Sequence, residues 1–161
     1  MYKNNSRFSG KTHTDNYDME NMKLINKSEK SINLKTINMI DNEIKNLTQE
    51  LIDNGTTYNL EFLENIYDDN LKFLRIDKNN NVQLLTKEDN LKFFKSLKES
   101  GAKPLNNSAE FHYADNDGKN GFIVLTRKMM QRDKEEEFLF NIYWEKKKNS
   151  WRIVRESVII K

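Results

Sequence analysis

The carboxy-terminal third of the chain reads AEFHYADNDGKNGFIVLTRKMMQRDKEEEFLFNIYWEKKKNSWRIVRESVII over residues 109–160. Its apolar and aromatic runs are separated by short segments rich in Asp, Asn, Gly and Lys, which are typical of turns. Consecutive strands joined by such turns form an antiparallel sheet. With turns at 115–120, 131–137 and 146–149, the pattern predicts four strands: Ala109–Tyr113, Phe122–Met130, Phe138–Glu145 and Trp151–Ile160.

Several of these strands are apolar on both faces, as in Phe122-Ile-Val-Leu125 and Ile153-Val154. A sheet with two apolar faces needs a cover on each side. Helices can cover one face, and a second copy of the chain is the natural cover for the other. We therefore expect a homodimer formed through the outer face of the sheet.

Two helices are predicted upstream of the sheet. The first ends at Asn54-Gly55, and the second spans Leu60 to Tyr67 with Thr57 or Asn59 as its N-cap. In the first helix, aliphatic side chains recur at steps of three and four and so share one helical stripe. These residues are Ile37, Ile40, Ile44, Leu47 and Leu51.

Two strands and a third helix complete the pattern. The strands are Leu71–Ile76 and Val82–Leu85, joined by a polar turn. Thr86 and Asp89 resemble a capping box, which marks the start of a helix. The inward positions of this helix are Leu91, Phe94 and Leu97, and Gly101 and Pro104 end it.

The composition fits one domain of 161 residues, with 36% hydrophobic, 32% charged and 11% aromatic residues. The aromatic share is too high for a solvated coil. No apolar run approaches the ~18–20 residues of a membrane helix, and no signal-peptide core is seen, so we expect a soluble cytoplasmic protein. The chain has no Cys and two His, which excludes disulfides and thiolate chemistry. We expect no metal site and no cofactor.

The net charge of +2 is unevenly spread. Residues 1–35 carry seven Lys or Arg against four Asp or Glu, whereas the remaining chain is near neutral with both signs interspersed. A nucleic-acid-binding domain usually has a concentrated basic face, so we expect no nucleic-acid partner. The sequence predicts a polar N-terminal arm at 1–35 and a folded domain at 36–161.

The order α-α-β-β-α-β-β-β-β resembles that of the nuclear transport factor 2-like superfamily. The segments that carry the likeness are LENIYDD at 63–69 and WRIVRE at 151–156. This superfamily is shared by ketosteroid isomerases, polyketide cyclases and many bacterial proteins. The resemblance covers residues 36–160. It implies an α+β fold in which a strongly curved, mostly antiparallel sheet wraps around the N-terminal helices as a cone with a pocket, and an outer sheet face that forms a dimer.

The resemblance does not extend to isomerase catalysis. The catalytic positions of ketosteroid isomerases fall near Thr48, Asn141, and Leu74 or Arg75, and none of these residues matches the family's Tyr and Asp groups. Asn141 remains able to donate a hydrogen bond. The fold therefore implies a pocket rather than an enzyme, and no catalytic residue is predicted.

The polar groups of the predicted strands supply candidate pocket residues. On the last strand, alternation puts Arg152, Val154, Glu156 and Val158 on one face, which the family register turns inward, and Trp151, Ile153 and Arg155 on the other. Arg127 is a candidate partner for Glu156 or for an anionic ligand. His112 is a candidate acid/base or a hydrogen-bonded strand histidine. Tyrosines would add aromatic walls with polar tips. The candidate pocket residues are Tyr58, Tyr67, His112, Arg127, Asn141, Tyr143 and Glu156.

Three functions remain open at this point. The first is a homodimeric protein that binds a small apolar or anionic molecule. The second is a protein-association module whose pocket is filled by its own side chains. The third is a cyclase or isomerase-type enzyme that uses His112 or Glu156 as its base.

Overall fold

A computed structural model describes residues 40–131 and 133–161. The predicted polar arm at 1–35, and Ile37, lie outside the described residues. Within the described ranges the predicted order of helices and strands is confirmed. The elements are α1 (Asn42–Thr56), α2 (Leu60–Ile66), β1 (Tyr67–Ile76), β2 (Val82–Leu85), α3 (Lys87–Glu99), β3 (Glu110–Asn116), β4 (Asn120–Gln131), β5 (Lys134–Lys147) and β6 (Ser150–Ile160).

In this part of the chain six strands form one sheet in the order β2-β1-β6-β5-β4-β3. Neighbouring strands are antiparallel except for β1 and β6, which are parallel. Register shifts interrupt the β1–β6, β3–β4 and β5–β6 pairings, and such bulges bend a strand and increase its twist. The fold is therefore α+β with a curved, mostly antiparallel sheet, as predicted.

The two faces of the sheet differ in what covers them. The side of the sheet that packs against the helices is called the inner face. The core cluster on this side includes Ile44 and Leu51 of α1 and Leu63 of α2. The opposite side is the outer face. The most deeply buried sheet residues of the inner face, each at most 2% exposed, are Ile123, Leu125, Ile142, Trp144 and Ile153. Residues directly paired across neighbouring strands share a face. The paired residues of the outer face are Phe122, Val124, Asn141, Tyr143, Arg155 and Ser157.

The first helix begins later than its aliphatic stripe predicts. Asp41 is the N-cap, and its side chain accepts a hydrogen bond from the backbone N–H of Ile44 at 2.9 Å. The prediction that Ile40 lies in the helix is wrong, because Ile40 forms a parallel β-bridge with Ala114 of β3. At the other end, α1 continues through Asn54-Gly55 to Thr56.

Tyr67 belongs to a strand rather than to the second helix. Of the two predicted caps, Thr57 and Asn59, it is Asn59 that caps α2, and its side chain accepts a hydrogen bond from the backbone N–H of Phe62 at 3.2 Å. The backbone of Tyr67 is extended, and β1 begins there instead of at Leu71. The capping box of α3 is confirmed, with Thr86 and Asp89 hydrogen-bonded in both directions.

The charged turn predicted at 131–137 is much shorter than expected. Strand β4 runs to Gln131, and β5 begins at Lys134, directly opposite it. The charged residues fit the ladder because Lys128 pairs with Glu137, and opposite charges across a strand pair are favourable. The charged residues at 134–137 therefore belong to a strand and not to a turn.

A bulge in β6 overturns the predicted faces of that strand. Tyr143 pairs with Arg155 and Trp144 pairs with Ile153, so Val154 has no partner on β5. An extra residue in one strand reverses the alternation beyond it. Trp151, Ile153, Glu156 and Val158 are accordingly all buried, whereas Val154 is only half-buried. The expectation that Val154 and Glu156 share a face is wrong.

No helix within the described ranges is long and apolar enough to cross a membrane.

Gly121 of β4 lets α1 approach the sheet closely. A Cβ at this position would overlap Ile44 Cδ1 and lie 2.9 Å from Ile44 Cγ1. We predict that Gly121→Ala lowers the free energy of unfolding by about 1–3 kcal/mol, because Ile44 is fully buried and must shift. Urea denaturation measures the change.

Gly55→Ala is the matched control, because no atom lies within 4 Å of the added Cβ and the site is helical. It should raise stability by up to ~1 kcal/mol. Ile44→Val removes the atom nearest the new Cβ, so Gly121→Ala should cost less in that background. Equal costs in both backgrounds would contradict the proposed close contact.

Candidate functional site

Four buried polar side chains meet on the inner face. Tyr67 is 4% exposed, Asn90 4%, Glu156 5% and Arg127 9%. They come from β1, α3, β6 and β4 respectively. The charge of Glu156 raises the pKa of the Tyr67 hydroxyl, and the Asn90 amide lowers it. The charge of Arg127 lowers the pKa of Glu156. We call Tyr67, Asn90, Arg127 and Glu156 the interior polar cluster.

Local structure explains why these side chains point inward. The bulge at Val154 restores Glu156 to the face that Ile153 occupies. Arg127 follows the regular alternation of β4, between the buried side chains of Leu125 and Met129. Tyr67 pairs with Ile153 at the point where α2 turns into β1.

Three atoms of the interior polar cluster have no hydrogen-bond partner. They are Asn90 Nδ2, Arg127 Nε and Glu156 Oε2. Asn90 lies near the Tyr67 oxygen, but its Nδ2 does not reach it in hydrogen-bond geometry. Arg127 and Glu156 do not form the direct ion pair that was one of the two expected roles of Arg127. A buried polar group without a partner costs about 1–3 kcal/mol, so these atoms need a physical reason, as does Trp144 Nε1, which is also buried without a partner.

The protonation states follow from burial. Burial raises the pKa of Glu156 to about 8, and the positive charge of Arg127 offsets only part of this effect. Burial also raises the pKa of Tyr67 well above its ordinary value. Burial lowers the pKa of Arg127 to about 10, against the charges of Glu156 and Asp53. At pH 7 the cluster therefore holds one cation and otherwise neutral groups.

The segment 100–109 covers the Arg127 end of the cluster. Its Leu105 packs against the inner-face apolar cluster formed by Met129, Phe138, Val158 and Ile160. Arg127 Nη2 donates a hydrogen bond to the carbonyl oxygen of Asn106. Outside Leu105 the segment is mostly exposed. We call 100–109 the covering segment.

Tyr58, in the connection between α1 and α2, is hydrogen-bonded to the covering segment. It is 4% exposed, and its hydroxyl donates to the carbonyl oxygen of Lys103 at 2.8 Å. Its φ of 57° is in the left-handed region, which non-glycine residues seldom adopt. Burial raises the pKa of Tyr58. The Leu105 N–H also donates to the Thr56 carbonyl oxygen at 3.1 Å.

Three sequence-predicted pocket residues lie on the outer face instead. Tyr143 is 48% exposed and stacks on Phe122 with ring centroids 4.4 Å apart. Asn141 donates to Ser157 Oγ at 3.3 Å. His112 sits at the bulge of β3, where its Nε2 lies 2.7 Å from Thr126 Oγ1. His112 and Glu156 are therefore on opposite faces and do not share a site.

Asn90 is the member of the cluster that the sequence analysis missed. Its spacing to Phe94 and Leu97, four and then three residues, places it on the inward stripe of α3. Extending that stripe back by one turn would have found it. The apolar positions Leu91, Phe94 and Leu97 alone do not reveal it.

Two depressions lie elsewhere on the described surface. A cleft of about 340 Å³ opens beside the β6 bulge, with Tyr143, Val154 and Arg155 among its lining residues. There Lys147 Nζ contacts Asp68 Oδ2 at 2.7 Å. A groove of about 440 Å³ runs between α2 and α3. No three His, Asp or Glu side chains converge as a metal site within 40–131 and 133–161.

Comparison with solved structures identifies the fold. An NTF-2 like protein of unknown function from Silicibacter pomeroyi matches 82% of this chain and 98% of its own, with a TM-score of 0.58 and 12% identity. An NTF2-like protein from Cytophaga hutchinsonii matches 76% and 100%, with a TM-score of 0.57 and 16% identity. This chain has the nuclear transport factor 2-like fold.

A third NTF2-like protein, of unknown function from Shewanella baltica, matches 75% of this chain and 97% of its own, with a TM-score of 0.56 and 9% identity. No protein-family model matches the sequence. No curated protein matches it either. The resemblance seen in the sequence is therefore confirmed for the NTF2-like fold, and the function has to be argued from the interior polar cluster and the outer face.

The raised pKa of Glu156 predicts a pH-dependent stability. The unfolded carboxyl loses its proton near pH 4.5 and the folded one near pH 8, so the folded state binds more protons between these values. Its contribution to stability is fully present below pH ~4.5 and is lost as the pH rises through ~8, by at most about 1.4 kcal/mol per pH unit. We expect Glu156→Gln, which cannot ionise, to gain stability relative to wild type over this range.

Urea denaturation of both proteins at pH 5, 6, 7 and 8 measures the difference. Titration of all other groups cancels when the two curves are subtracted. Glu61→Gln removes an exposed carboxyl of α2 and serves as the control, with no comparable trend expected. A difference between Glu156→Gln and wild type that stays constant with pH would show that Glu156 is already ionised in the folded protein.

Proposed function

We propose that the protein binds a small molecule on the inner face of its sheet, in contact with the interior polar cluster. The observation that supports this is the set of unpaired atoms Asn90 Nδ2, Arg127 Nε and Glu156 Oε2. They come from three separate elements and are enclosed by protein. Polar groups of this kind are kept in a protein interior when a ligand or water pairs with them.

Access would run under the covering segment. Its apolar packing is limited to Leu105 and Ala109, and hydrogen bonds such as Tyr58 to Lys103 and Arg127 to Asn106 hold it in place. Segments held by few contacts open at low free-energy cost. The cluster would therefore be reached from the Arg127 end, without unfolding of the sheet.

Native mass spectrometry of the purified protein tests the proposal. We expect a bound mass that denaturation releases, or binding of added compounds from two matched series, the monocarboxylates from acetate to benzoate and the primary amides from acetamide to benzamide. Arg127→Gln should raise the dissociation constant at least tenfold, since a hydrogen bond to a charged group contributes about 1.5–3 kcal/mol. Glu61→Gln should leave it unchanged. A bare protein that binds neither series would reject this function.

A second function is supported by the outer face, which exposes large apolar side chains. Val82 is 63% exposed, Leu84 59%, Met130 53% and Leu74 37%. Leu74 and Leu84 are direct partners across β1 and β2. Large apolar side chains exposed on one face of a sheet are typical of protein–protein contacts. We propose that this face associates with a second copy, which would make the protein a homodimer.

Sedimentation velocity tests the association. We expect a wild-type dimer, and Leu84→Glu should raise its dissociation constant at least tenfold, since burying a leucine contributes about 1.5–3 kcal/mol. Phe93→Glu is the matched control, because Phe93 is 55% exposed but lies on α3 rather than on the sheet. A monomeric wild type, or a dimer that Phe93→Glu disrupts and Leu84→Glu does not, would contradict the outer-face interface.

A further inference from the structure

The interior polar cluster is rich in hydrogen-bond donors. Asn90 Nδ2 and Arg127 Nε are unpaired donors, and a protonated Glu156 adds an O–H. Arg127 carries the positive charge. A ligand that satisfies these groups needs acceptor oxygens and gains further from a negative charge. A neutral hydrocarbon would leave all of the donors unpaired.

The contacts of Arg127 point to a carboxylate in particular. A carboxylate pairs best with two N–H groups on one edge of a guanidinium. On Arg127 the Nε–H of that edge has no partner, and the neighbouring Nη2 donates to the Asn106 carbonyl oxygen of the covering segment. Displacing one backbone carbonyl would free the whole edge. Ligand binding would then remove one of the hydrogen bonds that hold the covering segment, and the bonds from Tyr58 to Lys103 and from Leu105 to Thr56 would remain.

Resting on the proposed small-molecule function, we propose that the ligand is a small organic carboxylate, bound by Arg127 and taken up with Glu156 in its neutral form. Arg127 is the cation next to both acidic groups, Glu156 of the protein and the carboxylate of the ligand. Ionised Glu156 would place a second negative charge beside the bound carboxylate. Binding of the anion and ionisation of Glu156 therefore oppose each other.

The charged surroundings of the cluster support this coupling. The charge of Arg127 lowers the pKa of Glu156. The charges of Glu156 and Asp53 raise the pKa of Arg127. Tyr67 faces Glu156 as a neutral phenol, and Asn90 carries no charge. Below the pKa of Glu156 the affinity for a carboxylate should be constant, and above it each pH unit should lower the affinity up to tenfold.

Isothermal titration calorimetry with benzoate and with benzamide, between pH 6 and 9.5, tests the inference. These ligands differ in charge but hardly in size, and neither changes protonation in this range. At pH 6 we expect benzoate to bind at least tenfold more tightly than benzamide. We expect its affinity to fall above pH 8, whereas benzamide should show little change. If benzoate is too large, the acetate–acetamide and butyrate–butyramide pairs replace it.

Two variants separate the roles of the charged residues. In Glu156→Gln the dependence of benzoate affinity on pH should disappear, because the position no longer ionises. In Arg127→Gln the preference for benzoate over benzamide should be lost. Thermal unfolding of each variant establishes that it is folded, and Glu61→Gln should show the wild-type pH profile.

The outcomes distinguish this inference from the proposed function. If amides bind as tightly as carboxylates and Arg127→Gln weakens both, the interior binds small molecules and the carboxylate class is wrong. If carboxylates are preferred but their affinity is constant to pH 9.5 in wild type, the coupling to Glu156 is wrong. If neither series binds at any pH, both the proposed function and the carboxylate inference are rejected.

Discussion

The bulge at Val154 decides which side chains the sheet buries. One residue of β6 has no partner on β5, so the alternation on either side of it is out of phase. Without this extra residue, the strand would bury either Ile153 or Glu156, but not both. With the bulge, Ile153 packs in the apolar core with residues of α1 and α2, and the Glu156 carboxyl group also lies on the inner face. The place of Glu156 in the interior polar cluster depends on that one irregularity.

Burying Glu156 and Arg127 costs stability that the fold must recover elsewhere. The raised pKa of Glu156 expresses this cost, because the protein keeps the group protonated rather than leave a charge in a dry interior. The close packing of Ile44 on Gly121 is one compensating feature, since it removes space between α1 and the sheet. Proteins often tolerate unpaired polar groups where they bind something, and a packed core around them keeps the geometry fixed.

The inner and outer faces of the sheet divide two kinds of interaction between them. The inner face holds a few polar groups within an apolar core, which suits a small ligand with acceptor oxygens. The outer face exposes leucine, valine and tyrosine side chains, which suits a flat contact with another protein surface. Strands β1 and β4 contribute to both, with Tyr67 and Arg127 inside and Leu74 and Met130 outside, so a ligand inside and a partner outside would contact opposite sides of the same two strands.

The sequence by itself determined the order of elements, the caps of α2 and α3, and the presence of unusual polar residues in apolar strands. These features depend on neighbours within a few positions, such as Thr86 with Asp89, or Arg127 between Leu125 and Met129. Tertiary structure alone decided the faces. Whether Glu156 points inward depends on how β6 pairs with β5, and a bulge leaves no mark in the local pattern. Ile40 joined β3 instead of α1 for the same reason: the partner strand is more than seventy residues away.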